Sequence, residues 1–206
     1  MKEKSTEQVR ELYDRVAPWW RWAAIPEAIL GINRLRSKHF AAVRGDVLDV
    51  ACGSGENFAY LGGAASVTAV DLSPRMVALA RERAAKSGME AVIEVADAAA
   101  LVFDDNRFDY VISAMSSCTF PDAVAAFGEM ERVTRPGGQI LLLEHGRSSV
   151  DAIARFQDRS LGTYYYRTGC RYNRDPQAEL AEAGLTVASL TRSHLGLGYR
   201  IVVAVE

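Results

Sequence analysis

Along most of the chain, short apolar runs that favour β-strands alternate with longer segments whose apolar residues recur at helical spacing. The pattern predicts strands at 46–51, 66–71, 91–95, 108–113 and 139–144, and helices at 73–87, 122–134, 175–183 and from 56 to 61. The helix at 73–87 has a marked start and end, because Ser73 can cap it, Pro74 occupies its first position and Gly88 follows it. Such alternation predicts right-handed βαβ units and a mostly parallel sheet.

The last two predicted strands break this alternation. They cover residues 185–190 and 199–205, and the loop between them contains Gly196 and Gly198. A parallel connection needs a crossover of a dozen or more residues, and this loop is too short for one. We therefore expect the final strand to run antiparallel. The predicted fold class is α/β, a Rossmann-like sheet with helices on both faces that ends in a hairpin.

Two further segments lie outside the alternation. Residues 5–44 have the pattern of two helices separated near Pro18, and residues 146–174 are rich in Arg and Tyr. In an open α/β sheet, ligands bind beyond the carboxyl ends of the strands, and we expect both segments to cover that edge. The predicted organisation is an N-terminal helical lid at 1–44 and a core at 45–206, within which 146–174 is an insertion on the substrate side.

Composition narrows the class of protein. With 206 residues, of which 49% are hydrophobic, the chain can form one domain with its own core. A net charge of −2 argues against a general nucleic-acid binder, whose binding face is usually basic. The three cysteines do not form a disulfide framework, and the three histidines do not cluster with them in the sequence, so no metal site is predicted. The charged first residues and the lack of a long apolar run predict a cytoplasmic protein.

The segment at 49–57, Asp-Val-Ala-Cys-Gly-Ser-Gly-Glu-Asn, follows the first predicted strand. Gly53 and Gly55 allow a tight turn and a close approach of the backbone to a ligand. The second strand ends in Asp71, whose carboxylate can accept two hydrogen bonds from a ribose diol, so the pattern predicts an adenosine-type cofactor. Phe58 stands where a dinucleotide-binding loop has its third glycine, which disfavours the alternative of a nucleotide-linked reductase. The acidic start of the loop suits a cofactor that is cationic at this end.

These residues resemble the first motif of the class I S-adenosylmethionine-dependent methyltransferases. The resemblance is to the group that includes ubiquinone and menaquinone C-methyltransferases, bacterial phospholipid N-methyltransferases and small-thiol S-methyltransferases. It extends from residue 46 to about residue 144 and includes Ala96-Asp97-Ala98, Ser113-Ala114-Met115 and the turn at 135–138. It implies a seven-stranded sheet with an antiparallel last strand, and S-adenosylmethionine as a cofactor that leaves as S-adenosylhomocysteine.

The resemblance also implies which residues hold the cofactor. The methionine part is expected at the glycine loop and beside Tyr13, the ribose at Asp71, the adenine amino group at Asp97, and the transferable methyl group at 113–115. The predicted cofactor-binding residues are Tyr13, Asp49, Ala51, Gly53, Ser54, Gly55, Asn57, Asp71, Leu72, Met76, Asp97, Ala98, Ser113, Ala114 and Met115.

Three classes of methyl acceptor remain open: a thiol, a phospholipid amine and a quinone-like ring. His145 follows the fifth strand and is the predicted general base, with a structural role as the alternative. Arg and Tyr side chains of the insertion can clamp an anion or stack on a planar group, and a solvated surface is the alternative. The predicted substrate-binding residues are Trp19, Cys118, Arg147, Arg159, Tyr165 and Tyr166. Glu144-His145 and the segment 169–174 resemble a subgroup that methylates small thiols, so S-methylation is favoured.

The N-terminal segment has a second interpretation. Trp19, Trp20 and Trp22 are followed by basic residues at 34–38. Aromatic and basic side chains on one helical stretch suit an anionic membrane surface, and they suit a lid or a substrate pocket equally well. The expected partners are therefore a small-molecule acceptor and no nucleic acid, with membrane contact through residues 18–40 as the alternative to a lid.

Overall fold

The computed structural model describes residues 3–23 and 29–206, and these residues form one seven-stranded sheet. Its strands are β1 Gly45–Val50, β2 Ala64–Asp71, β3 Val92–Val95, β4 Phe108–Ala114, β5 Thr134–His145, β6 Val187–Ser193 and β7 Gly198–Ala204. The spatial order is β3-β2-β1-β4-β5-β7-β6. The first five strands pair in parallel, whereas β7 runs antiparallel to both β5 and β6. The predicted Rossmann-like fold with an antiparallel last strand is confirmed.

Three of the helices in the core, Pro74–Ser87, Ala123–Val133 and Pro176–Glu182, begin where the sequence provides a side-chain cap. The α-helices are α1 Thr6–Val16, α2 Trp20–Ala23, α3 Ile32–Phe40, α4 Pro74–Ser87, α5 Ala123–Val133, α6 Asp151–Thr168 and α7 Pro176–Glu182. Ser73 Oγ accepts the amide N–H of Met76 at 3.1 Å, and Asp122 caps α5 in the same way. A side-chain acceptor at this position satisfies one of the amide groups that the first turn leaves unpaired. The helices predicted at 73–87, 122–134 and 175–183 are confirmed.

Each face of the sheet carries its own apolar core. In β1, Val47 belongs to the core that includes Phe40 of α3 and Val77 of α4, whereas Leu48 belongs to the opposite core with Phe127 of α5. All five side chains are almost completely buried. Because successive side chains of a strand point to opposite faces, a continuous apolar run such as β1 is expected in a sheet covered on both sides. The two cores hold the strands as a platform whose carboxyl ends meet at one edge.

The prediction of a helix after the glycine loop, at residues 56–61, is wrong. Residues 56–61 form turns and a short 3₁₀ helix, Phe58–Tyr60, and β2 begins soon afterwards at Ala64. Gly62 and Gly63 end the segment before a full α-helix can form, because glycine loses more conformational freedom in a helix than other residues. The loop after β1 therefore presents backbone and side chains to a ligand rather than the end of a long helix.

The turn predicted at residues 135–138 is also wrong, because the structure assigns these residues to β5, which already begins at Thr134. The register between β4 and β5 shifts near Phe108, so the first part of β5 is an irregular stretch of strand. At Gly138, a Cβ atom would lie 2.7 Å from the carbonyl oxygen of Asp109. Glycine at this position thus allows the two strands to approach closely.

The break near Pro18 is confirmed, since α1 ends at Val16 and Pro18 lies in a 3₁₀ helix, Ala17–Trp19. The second predicted helix is interrupted. It corresponds to α2 and α3, and part of the prediction falls on residues 24–28, outside the described residues. Within 3–23 and 29–206, the structure contains no helix that is both long and apolar enough to cross a bilayer.

Candidate active site

The loops after β1 to β4 meet at the carboxyl edge of the sheet and, together with α1 to α3, enclose a cavity that we call the loop pocket. Its walls are formed by Val9, Arg10, Tyr13, Trp20, Arg36, Ala51, Cys52, Gly53, Glu56, Asn57, Asp71, Leu72, Met76, Ala96, Asp97, Ala98, Ala114, Met115, Ser116, Thr119, Phe120 and Pro121. The position agrees with the general rule that open α/β sheets bind ligands at this edge.

Asp71, the last residue of β2, is held firmly at the wall of the loop pocket. Its Oδ2 accepts the amide N–H of Gly53 and its Oδ1 accepts the amide N–H of Ser73, both at 2.9 Å. Gly53 has a φ of +56°, a left-handed conformation that glycine adopts readily. Burial raises the pKa of Asp71 to about 6, so the carboxylate is still ionised near neutral pH. The site therefore contains a fixed anionic acceptor.

A chain of three buried polar side chains runs inward from the wall of the loop pocket. Arg36 donates from Nε to Asn57 Oδ1 at 3.1 Å, and Asn57 donates from Nδ2 to Asp49 Oδ1 at 2.9 Å. Among the described residues, Asp49 Oδ2 has no hydrogen-bond partner, and burial raises the pKa of Asp49 to about 7. Asp49 thus orients Asn57, which reaches the pocket wall, rather than reaching the wall itself.

Eleven of the predicted cofactor residues lie on the wall of the loop pocket, and four lie behind it. The wall includes Tyr13, Ala51, Gly53, Asn57, Asp71, Leu72, Met76, Asp97, Ala98, Ala114 and Met115; the other four are Asp49, Ser54, Gly55 and Ser113. Ser54 Oγ donates to Glu56 Oε1, and Ser113 Oγ donates to the carbonyl oxygen of Val50 at 2.9 Å. These hydroxyls are used within the protein, and neither serine lines the cavity.

Sequence reasoning missed three charged side chains on this wall: Arg10, Arg36 and Glu56. Arg36 lies on the apolar face of α3 between Ile32 and Phe40, and all three are buried. An arginine at i, i+4 spacing with two apolar residues was a signal for burial and could have been noticed.

A second cavity, which we call the apolar chamber, adjoins the loop pocket and has a volume of about 820 Å³. Tyr13, Trp20 and Met115 line both cavities. The remaining walls are formed by Leu12, Val16, Trp19, Trp22, Leu30, Ile32, Leu35, Cys118, Leu143, Glu144, His145, Gln157, Tyr164, Arg167, Thr168, Cys170, Tyr172, His194, Leu197 and Gly198. A ligand in the apolar chamber would therefore lie next to a ligand in the loop pocket.

Cys118, His145 and Cys170 come together on the wall of the apolar chamber. The two sulfur atoms and one imidazole nitrogen lie within 4.8 Å of one another. The histidines do not cluster with the cysteines in the sequence, but the fold brings His145 to two of them. β4 and β5 are neighbouring parallel strands, so their ends meet, and the amide N–H of Arg171 donates to the carbonyl of Cys118 at 2.8 Å.

Of the predicted substrate residues, Trp19 and Cys118 line the apolar chamber, and the other four lie elsewhere. Arg147 pairs with Asp158 at the surface, and Arg159 and Tyr166 are exposed. Tyr165 is buried, and its hydroxyl oxygen accepts the amide N–H of Lys4 at 2.7 Å. Successive helical residues point about 100° apart, so the tyrosines at 164–166 cannot all face one cavity, and Tyr164 is the one that does.

A family model described as a methyltransferase domain matches residues 47–138, which comprise β1 to the first part of β5. The chain is 32% identical over 159 residues to phosphatidylethanolamine N-methyltransferase of Cereibacter sphaeroides, an alignment that covers 73% of this chain and 78% of that protein. It is 36% identical over 117 residues to the ubiquinone/menaquinone biosynthesis C-methyltransferase UbiE of Bdellovibrio bacteriovorus, covering 55% and 50% of the two chains. Across three curated relatives, the chain spans 41 to 78% of their length.

Solved structures support the same fold. Geranyl diphosphate methyltransferase in complex with S-adenosylmethionine superimposes with a TM-score of 0.68 at 15% identity, over 84% of this chain and 83% of that one. The loop pocket has the groups that such a cofactor requires, because Asp71 can accept a ribose diol and Arg36 and Glu56 offer opposite charges for a zwitterionic end. The chain therefore belongs to the class I S-adenosylmethionine-dependent methyltransferases, which decides against a nucleotide-linked reductase.

Proposed function

We propose that the protein transfers the methyl group of S-adenosylmethionine to the sulfur of a thiol with an apolar skeleton. The observation that carries the proposal is the apolar chamber, which shares Tyr13, Trp20 and Met115 with the loop pocket. Its walls are mainly apolar, and the polar groups nearest the ends of β4 and β5 include Cys118 and His145. An apolar thiol can fill the chamber with its skeleton while its sulfur meets these groups.

The loop pocket supplies the binding groups for the donor in this proposal. S-Adenosylmethionine provides an electrophilic methyl group on a sulfonium. Asp71 accepts the ribose hydroxyls, and Asp97 accepts the adenine amino group. Arg36 and Glu56 bind the carboxylate and the ammonium of the methionine part, and Asn57, oriented by buried Asp49, supports them. Holding donor and acceptor in line removes much of the entropic barrier to methyl transfer.

The helices on either side of Pro18, α1 and α2, act as a lid over both cavities. Tyr13 of α1 reaches both, and Asp14 accepts the hydroxyl hydrogen of Ser73 at 2.6 Å, which ties α1 to the start of α4. The chain before α1 is held from the other side, because Lys4 bonds to Tyr165 and Glu3 pairs with Arg171. Closing such a lid excludes water from the reacting groups.

To become a nucleophile, a thiol needs less assistance from the protein than a protonated amine does. A thiol is already a few per cent thiolate near neutral pH and is strongly nucleophilic in that form. An ammonium acceptor must lose a proton and would be steadied by a carboxylate, but the oxygens of Glu144 already accept the amide N–H groups of Ser116 and Ser117. The carboxylate nearest the chamber is thus used inside the protein.

A phospholipid amine is the second candidate acceptor. Trp19, Trp22 and Leu30 line the apolar chamber and yet are 70%, 55% and 58% exposed, so these three side chains form an apolar rim on one side of its opening. Exposed aromatic side chains in this arrangement suit contact with a membrane surface. The similarity to a phosphatidylethanolamine N-methyltransferase favours the same acceptor.

The test uses methyl-labelled S-adenosylmethionine with three acceptors in separate reactions: a small dithiol, phosphatidylethanolamine vesicles and a demethylated quinone. Label on the dithiol alone supports the proposal, and mass spectrometry then locates the methyl group on sulfur. Label on the lipid supports the second candidate, and label on the quinone contradicts both. An Asp71→Ala variant is the control for donor binding, since it should lose transfer to every acceptor.

A matched pair of variants tests the acceptor side. His145 and His194 both line the apolar chamber, but only His145 lies beside the cysteines. We expect His145→Gln to lower the rate at saturating donor by roughly 10²- to 10⁴-fold, the range typical of side chains that assist proton transfer. His194→Gln should keep most of the rate. Equal rates for the two variants would remove His145 from the reaction.

A further inference from the structure

Three soft donor groups from distant parts of the chain meet at the wall of the apolar chamber. Cys118 lies in the 3₁₀ turn after β4, His145 is the last residue of β5, and Cys170 follows the end of α6. Their sulfur and nitrogen atoms all lie within 4.8 Å of one another. Binding of the donor and in-line transfer of a methyl group do not by themselves require two thiols and an imidazole at one point.

The spacing of these atoms matches a tetrahedral zinc site. Zinc–sulfur bonds of about 2.3 Å and zinc–nitrogen bonds of about 2.0–2.1 Å at tetrahedral angles place the two ligand atoms roughly 3.5 Å apart. Cys170 Sγ and His145 Nε2 are 3.5 Å apart. Two thiolates on one zinc ion lie roughly 3.8 Å apart, so the limit of 4.8 Å leaves at most about 1 Å of adjustment for the sulfur pair and about 1.3 Å for Cys118 and His145.

Hydrogen bonds from Arg171 and Arg174 hold the two cysteine segments together without a bound ion. The amide N–H of Arg171 donates to the carbonyl oxygen of Cys118 at 2.8 Å. The buried guanidinium of Arg174 donates to the carbonyl oxygens of Ser117 and Phe120 at 3.1 and 2.7 Å. Each of these hydrogen bonds joins the turn after β4 to the segment after α6. Ligands fixed in this way lose little entropy on binding a metal.

Charge and burial also favour a divalent cation. Cys118 and Cys170 are 2% and 8% exposed. Two isolated thiolates would be costly in an apolar cavity, but two thiolates, a neutral imidazole and a divalent ion have no net charge.

We propose that Cys118, His145 and Cys170 bind one soft divalent metal ion, for which Zn²⁺ is the best match, and that its fourth coordination position faces the apolar chamber. The fourth position takes the sulfur of the acceptor, a part of the inference that rests on the proposed function. His145 is then a metal ligand rather than the general base predicted from the sequence. A three-ligand site with one open position is the arrangement of catalytic rather than structural zinc.

In this reaction the acceptor S–H bond breaks when its sulfur binds the ion, and the proton leaves to solvent. The thiolate electron pair forms the new S–CH₃ bond. The S–CH₃ bond of the donor breaks at the same time, and its electron pair stays on the donor sulfur, which becomes a neutral thioether. The methylated acceptor is a weaker ligand than the thiolate, so it dissociates from the ion.

The test measures metal binding with no acceptor present. The full chain is reduced, treated with a chelator and titrated with Co²⁺. The thiolate charge-transfer bands and the tetrahedral d–d bands of bound Co²⁺ report its ligands. Zn²⁺ is then added to displace the Co²⁺. Cys118→Ser, Cys170→Ser and His145→Gln are compared with the controls Cys52→Ser and His194→Gln. Binding of S-adenosylhomocysteine by each of the three ligand variants and by His194→Gln shows that it is folded.

We expect one equivalent of Co²⁺ in the unmodified chain, with tetrahedral thiolate absorption. Removing a group that only hydrogen-bonds to a metal ligand already lowers metal affinity by roughly 10- to 100-fold, so removing a ligand itself should lower it further. The two control variants should bind the metal normally. The proposal is overturned if less than stoichiometric metal binds, or if the cysteine variants bind it as well as the controls do. Metal binding without thiol methylation would instead overturn the proposed function, and thiol methylation without metal would leave that function standing.

Discussion

Replacing Asp71 by Asn tests the donor end of the site with the smallest change in shape. The carboxylate accepts the amide N–H of Gly53 at Oδ2 and that of Ser73 at Oδ1, both at 2.9 Å. An Asn side chain accepts at one atom only, so its NH₂ group would face one of these two donors. It also removes the negative charge that the ribose hydroxyls would meet. A hydrogen bond to a charged group contributes about 1.5–3 kcal/mol, which corresponds to a loss of affinity of roughly 10- to 150-fold.

Isothermal titration calorimetry with S-adenosylmethionine and S-adenosylhomocysteine measures this loss directly. The matched control is Asp46→Asn, the same chemical change at the opposite end of the strands, where Asp46 pairs with Arg135 at 3.1 Å on the surface. Surface ion pairs of this kind contribute about 0–1 kcal/mol, and the control should bind the donor with unchanged affinity. Thermal unfolding followed by circular dichroism shows whether either variant has lost its fold.

An affinity of Asp71→Asn within twofold of the unmodified chain, with an unchanged melting temperature, would refute the assignment of Asp71 to the ribose. An equal loss in Asp46→Asn would show that the binding assay reports the stability of the sheet rather than contact with the donor.

Three further expectations follow from the same contacts. Because burial raises the pKa of Asp71 to about 6, its anionic form is lost as the pH falls through 6. Donor affinity should therefore drop below that pH, and the drop should be smaller in Asp71→Asn, in which Asp49, with a pKa raised to about 7, still titrates in this range. Arg36→Met removes the donor to the buried amide of Asn57 and should lower the free energy of unfolding in urea by about 1–3 kcal/mol while weakening donor binding; unchanged values of both would contradict the role of this side chain. Trp19→Ser combined with Trp22→Ser should reduce sedimentation with anionic vesicles roughly tenfold, and equal sedimentation would remove the apolar rim from membrane contact.

The strands and most helices followed from local patterns in the sequence. The apolar runs of β1, β2 and β4 marked a sheet buried on both faces, and Ser73 and Gly88 marked the two ends of α4. The short loop before β7 was enough to predict an antiparallel partner, because loop length alone excludes a crossover. Two local predictions failed where glycines interrupt the pattern, at the segment after Gly55 and at the beginning of β5.

Much of the loop pocket was also predictable, for a topological reason. In a parallel sheet, the residue that follows each strand is carried to the same edge, so Gly53, Asp71, Asp97 and Met115 converge although they are distant in the sequence. Ser54 and Ser113 belong to the same segments but do not line the cavity, and their hydroxyls bond within the protein. Position along the chain determined the loop, and only the packed backbone decided the direction of each side chain.

The set of side chains that lines the apolar chamber was decided by the tertiary structure. The sequence by itself indicated an insertion rich in Arg and Tyr, but the rotation of α6 decided that Tyr164 rather than Tyr165 or Tyr166 faces the cavity. In the sequence, Cys118, His145 and Cys170 are more than 20 residues apart and do not have the spacing of a metal-binding motif. These side chains meet because β4 lies beside β5 and the chain returns to both after α6. Hydrophobic periodicity and turn chemistry are local properties that a sequence displays directly, whereas a contact between distant segments exists only once those segments have packed.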